Sequence, residues 1–301
     1  MKTSRVFSKE ALLAYCFVLP ALLYMFIFIG YPLIYNFILG FQNVNVMTFA
    51  KPIKDFVGFQ NYIDLFTKPG SVMPKIIMNT LVFTVGSISI QFVIGFALAL
   101  LFKNKFPGSS FIRGIIIIAW LIPVTVTGLL YKFIFAVNGG IINELLLSWH
   151  VIKAPIEWLL QPKTSMLGVI MANIWIGIPF NMILILTGLT TVPESIYESA
   201  SIDGATALQK LTRITIPMIK PAIMSVLTLG FIYTFKVFDL IWVMTQGGPV
   251  FATELLSTYS YRMSFNEFNF SQGAAVANIL FVILFVVGLF YTKVIQEDEV
   301  M

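Results

Sequence analysis

Residues 191–221 read TVPESIYESASIDGATALQKLTRITIPMIKP, a polar stretch set between two long apolar runs. Thr191 and Glu194 have the spacing of a capping box, with Pro193 in the first turn, where its missing N–H costs nothing. The spacing predicts a short helix reaching Asp203 and stopped by Gly204. A second helical piece, Ala205 to Arg213, leads into the next apolar run at Pro217. Small residues (Ser199, Ala200 and, past the stop, Ala205) let another surface approach this backbone closely, as helix-in-groove docking requires. An ordinary connector lying at a membrane surface fits the same residues.

Around this segment the chain is strongly apolar. Of its 301 residues 58% are hydrophobic and 11% charged, against about 25% charged in a soluble domain. Mean hydropathy is +0.90, so hydrocarbon is the solvent for much of the chain. Six stretches reach the ~20 residues that cross ~30 Å of lipid: 11–33, 77–101, 114–136, 166–189, 218–244 and 273–291. Each must be helical, because an open strand would leave its amides unpaired in lipid. The run 11–33 is too long for the apolar core of a signal peptide and reads as a retained first span.

The net charge of +5 comes from scattered cations that flank the spans, with no basic run that would suit nucleic acid. Lys2, Arg5, Lys9, Lys103, Lys105, Arg113, Lys210, Arg213, Lys220 and Lys293 crowd short segments, which places both termini on the cytoplasmic side. The opposite side then holds the polar loop 35–73, the stretch 141–160, which suits a helix at the outer surface, and 251–272, which folds over the pore mouth. One cysteine, Cys16, and one histidine, His150, leave no metal site. G-x-x-x-x-G-K-[ST], G-x-S-x-G, H-E-x-x-H and CxxC are absent, so neither ATP binding nor catalysis is expected of this chain.

Glu198-Ser-Ala-Ser-Ile-Asp203-Gly204-Ala205, followed by Ile214-Thr-Ile-Pro217, resembles the EAA–G–I-x-L-P motif of ABC-importer permeases. In that family the loop, here 190–217, is the coupling helix seated in a cytoplasmic ATPase. The chain departs from the pattern at Ser199, at Leu208 and Leu211, where aromatics are frequent, and at Ile216. Phe238-Asp239 with Thr245-Gln-Gly247-Gly248-Pro249 resembles the signature of carbohydrate-uptake permeases of the MalF-like kind, and Leu19-Pro20, Tyr31-Pro32 and 139–143 are similar to that subfamily.

The resemblance implies a single all-α membrane domain of six helices in the type I importer fold. ATP and magnesium would belong to a partner. Implied partners are a MalG-like second permease, two ABC ATPases, an extracytoplasmic sugar-binding protein, the sugar and the lipid. The location implied is the cytoplasmic membrane of a bacterium or archaeon.

Polar and kinked residues inside spans mark a pathway, because polar groups facing lipid are costly. The fourth span offers Asn173, Trp175, Gly177, Pro179 and Phe180: amides for hydroxyls, flat rings for sugar C–H faces, and a point of bending. In the MalF-like family the positions matching Asn173, Gly177 and Phe180 line the sugar site. The fifth span adds Tyr233, Thr234, Lys236 and Asp239, the last two at a spacing that allows pairing on one helical face. Tyr131 ends the third span. A secondary transporter would be expected to carry intramembrane acids and inverted repeats, and a membrane enzyme subunit a catalytic constellation; neither is evident.

Overall fold

The computed structural model describes residues 9–104 and 106–299; Lys2, Arg5 and Lys105, used above for orientation, lie outside them. Among the described residues strand pairing is limited to one isolated bridge, Gln42 to Phe56. The chain begins with α1 (Lys9–Met25), a π-helical turn (Phe26–Gly30) and α2 (Tyr31–Gly40), followed by α3 (Gln60–Thr67) and the long α4 (Met73–Lys103). Next come α5 (Ser109–Leu121), α6 (Val124–Ile134), α7 (Ile141–Ser148) and a second long helix, α8 (Pro162–Thr190). The short helices α9 (Glu194–Ile202), α10 (Ala207–Lys210) and α11 (Ile216–Met218) precede α12 (Lys220–Phe235), α13 (Asp239–Met244), α14 (Leu256–Tyr261) and α15 (Phe270–Glu299). This is the all-α membrane fold that composition demands.

Prolines explain where the spans differ from the apolar runs. The first span extends to Gly40 rather than ending near residue 33, as Leu13–Gly40. Pro32 cannot donate to the fourth residue before it, and the helix absorbs the loss in a π turn in which Tyr31 N–H bonds the Phe26 carbonyl. Pro217 repeats the device, with Ile216 N–H on the Leu211 carbonyl. The expected span 114–136 is instead two helices meeting at 98°. Pro123 forces Ile122 into extended backbone, ψ 130°, because its ring clashes with a helical predecessor.

The expected span 218–244 is also broken. Helix α12 stops at Phe235, Phe238 leaves the helical region and α13 restarts at Asp239. At its other end the segment Ala207–Met218 meets α12 at 69°, where Pro217 and Pro221 remove successive donors. The stretch 141–160 is helical only over α7, and Thr191 is no N-cap. Its hydroxyl donates to the Gly188 carbonyl, while the N-cap of α9 is Pro193, whose ring has no oxygen to accept a backbone N–H.

The chain divides into two compact units. The first, Met1–Pro69 with Ser260–Asn278, is held by amides: Asn61 donates to the carbonyls of Gly40 and Gln42, and Asn278 bonds Asn36 and the Tyr62 hydroxyl. The second, Gly70–Tyr259 with Ile279–Met301, is organised around α4 against α8. A Cβ on Gly95 would lie 2.6 Å from Asn181 Cβ and 3.0 Å from the Met182 nitrogen. Without a hydrophobic drive between helices in lipid, such close contact is what joins them.

Two apolar clusters fill this unit. One joins Phe83, Phe135, Val169, Ile170, Leu240 and Leu255; the other joins Ala99, Phe102, Met182, Leu189, Ile219 and Val226. At the first cluster's end, the loop after α13 is tied to α4. The Asn79 amide donates to the carbonyls of Phe251 and Glu254, and the Lys75 ammonium to that of Val250.

Gly95→Ala is expected to cost about 1–3 kcal/mol by overpacking, and so to lower the melting temperature in detergent by roughly 2–4 °C per kcal/mol. Gly114→Ala, where a Cβ meets nothing within 4 Å, should leave the melt unchanged.

Candidate functional site

The 191–219 segment is anchored at Val192, Thr215 and Ile219 and largely exposed between them. Val192 and Ile219 are buried in the second apolar cluster, yet α9 buries no residue. It ends in a Schellman motif, with Ala205 N–H on the Ala200 carbonyl and Gly204 N–H on that of Ser201. Gly204 has φ +75° and open space around it, so glycine is there for its conformation and not for crowding.

The capping box stands at Thr206 and Gln209, not at Thr191 and Glu194. Of the residues singled out in sequence, Glu198, Ser199, Asp203, Gly204 and Pro217 are exposed, and Ala200 and Ala205 half-buried. Between the two helices Ile202 is 87% exposed and Leu208 69%. These two aliphatic side chains, one at the end of α9 and one in α10 across the Gly204 turn, leave apolar area that another surface would cover.

Between the two apolar clusters, α4 and α8 carry polar residues, and there a cavity of about 420 Å³ opens. Asn173, Gly177 and Phe180 line it at i, i+4 and i+7, one face of α8. Gln91 faces them from α4, Trp120 from α5, and Tyr233 and Thr234 from α12. Phe180 sits between two rings, 6.0 Å from Trp120 and 6.0 Å edge-on to Tyr233.

The Gln91 amide donates to the Asn173 carbonyl at 2.8 Å and lies flat on Gly177, where any Cβ would meet it at 2.2 Å. Asn173 Nδ2 is buried and has no hydrogen-bond partner. Leaving such a donor unmade costs about 1–3 kcal/mol.

The structure does not bring all the named pathway residues together. Trp175 is two residues from Asn173, about 200° round the helix, and lines a different pocket with Tyr131, its ring 6.2 Å away. Asp239 is exposed beyond the helix break. The pairing with Lys236 that the spacing allowed is not formed, because the two do not share a helix; the Lys236 ammonium stands over the Tyr233 ring, 5.4 Å from its centre. Gln91 and Trp120 were not legible as a pair. Gln91 had a signal, an amide inside an apolar span, whereas Trp120 reads like any interfacial ring.

The sequence pattern of the family described as binding-protein-dependent transport system inner membrane component matches residues 91–297. The chain is 30% identical to the trehalose/maltose transport system permease protein MalF of Thermococcus litoralis over 97% of this chain and 96% of that one. It is 28% identical to the diacetylchitobiose uptake system permease protein DasB of Streptomyces coelicolor, over 96% and 88%. A crystal structure of a bacterial ABC transporter that imports the acidic polysaccharide alginate contains a chain similar to it, with a TM-score of 0.80 at 26% identity over 96% of both chains. A second structure of an alginate ABC transporter, in complex with a pentasaccharide-bound periplasmic protein, gives 0.78.

A bulky L-residue at φ +75° costs about 1–2 kcal/mol. Gly204→Val should therefore speed hydrogen exchange at the Gly204 and Ala205 amides, and Gly204→Asn, which tolerates this conformation, should do so less.

Proposed function

The chain belongs to the family of binding-protein-dependent transport system inner membrane components, and we propose that it is the sugar-conducting permease subunit of an ATP-driven importer. It is a multi-pass membrane protein. In this reading it lies in the cytoplasmic membrane of a bacterium or archaeon, with both termini and the 190–217 loop inside. It works as a heterodimer with a second, MalG-like permease, and a binding protein outside delivers the sugar. The chain carries no cofactor of its own; ATP and magnesium sit in two partner ATPases.

The observation that carries the sugar reading is the Asn173 amide, buried without a partner in a cavity walled by Trp120, Phe180 and Tyr233. Sugars present hydroxyls around their rim and C–H bonds on their faces. An amide pair from Asn173 and Gln91 suits the first, and the aromatic rings suit the second. Thr234 adds a hydroxyl to the wall. The names of the relatives, which carry trehalose, maltose and diacetylchitobiose, support a small oligosaccharide of this kind.

The coupling role falls to α9 and the turn after it. Glu198, Ser199, Ala200, Asp203, Gly204 and Ala205 present a short helix with a fixed end, and Pro217 sets the elbow into the next span. Exposed Ile202 and Leu208 fit an apolar cleft in the ATPase. Closure of two ATPases on ATP moves these helices, tilts the bundle and turns the cavity from one side of the membrane to the other. Hydrolysis resets it.

Asn173→Leu removes a hydrogen bond to the sugar, so uptake should fall about tenfold for ~1.4 kcal/mol lost, with the complex still assembled on co-purification; normal uptake would remove Asn173 from the pathway. Ile202→Asp places a charge in the docking contact, and the ATPase should no longer co-purify. Retention of the ATPase in that variant would show that it docks elsewhere.

A further inference from the structure

We propose that Tyr197 is a positioning residue that locks α9 to the end of α4 and to the elbow before α12, so that the three move as one piece. The inference rests on the reading of α9 as the ATPase-docking helix. Since α9 buries no residue, its hold on the spans comes from few contacts. Tyr197 provides two of them in opposite directions. The Lys103 ammonium, in the last turn of α4, stands over the Tyr197 ring at 3.5 Å from its centre, a cation–π contact at close range. At the ring's far end the hydroxyl lies 3.0 Å from Thr215 Oγ1.

The direction of that hydrogen bond follows from its neighbours. Thr215 Oγ1 donates its own hydrogen to the Lys210 carbonyl, so the tyrosine must be the donor. Thr215 is buried, at 4% exposure, in the π turn that precedes Pro217, and its carbonyl accepts Ile219 N–H at the elbow. The ring itself packs on the second apolar cluster. A push on α9 therefore reaches α4 through a charge over a ring, and α12 through two hydroxyls in series. A further side-chain tie, from the Lys210 ammonium to Ser201 Oγ, joins α9 to α10 within the same exposed segment.

The test is a distance measurement by pulsed electron spin resonance on the assembled complex. Nitroxides are attached at Ser195→Cys on α9 and Leu101→Cys on α4, both exposed, with Cys16→Ser removing the native thiol. Spectra are compared without nucleotide and with ATP and vanadate. The Ser195–Leu101 distance should be the same in both states with Tyr197 present. Tyr197→Leu should shift and broaden the distribution on nucleotide binding, Thr215→Val should do so partly, and Thr215→Ser should restore the narrow peak. A distance that already changes in the parent protein, or one that stays narrow in Tyr197→Leu and Thr215→Val, overturns the proposal. Failure of the docking reading shows separately, as loss of effect of Ile202→Asp on ATPase co-purification.

Discussion

At Gly95 the backbone of α8 comes so near α4 that one added methyl would meet Asn181 Cβ at 2.6 Å. Lower along the same pair, Gly177 is covered by the Gln91 amide. These two contacts set the distance between the longest helices of the second unit, and the remaining elements take their places from that pair. The cavity exists because polar side chains interrupt the apolar packing between the same helices. The Gln91 amide is oriented by the contact that makes the helices close, since it donates to the Asn173 carbonyl.

Much of this can be read from residue order. Helices α4 and α8 show as spans because their apolar runs stay helical from end to end, α8 even through Pro179. The third and fifth runs are equally apolar but hide their breaks. Hydropathy counts Pro123 as one weakly polar residue, whereas its effect falls on Ile122, whose backbone it forces out of the helix. The restart at Asp239 carries no such mark. Phe238 leaves the helical region without a proline or glycine to announce it.

The candidate sites divide in the same way. Asn173, Gly177 and Phe180 follow helical spacing and share a wall, but Trp175 lies on the opposite side for the same geometric reason. Gln91 is distant in sequence and meets this wall only through the crossing at Gly95 and Gly177. In the 191–219 loop the stop at Gly204 is legible because only glycine takes that conformation cheaply. The capping box is not: Thr191 and Thr206 both stand three residues before a suitable partner, and only the length of α8 decides that Thr191 closes one helix instead of opening the next.

The elbow at Ile219 gives the chain a mechanical ratio. Ile219 is 1% exposed and shares an apolar cluster with Leu189 and Ala99, so the elbow is seated in the packing of the unit. One arm, Ala207–Met218, is roughly 18 Å long and the other, Lys220–Phe235, roughly 24 Å, from the helical rise per residue. Turned as a rigid crank about that point, the far end travels about one-third further than the near end. The far end carries Tyr233 and Thr234. The bend thus joins the exposed segment at Ala207 to the cavity wall through one continuous stretch of chain.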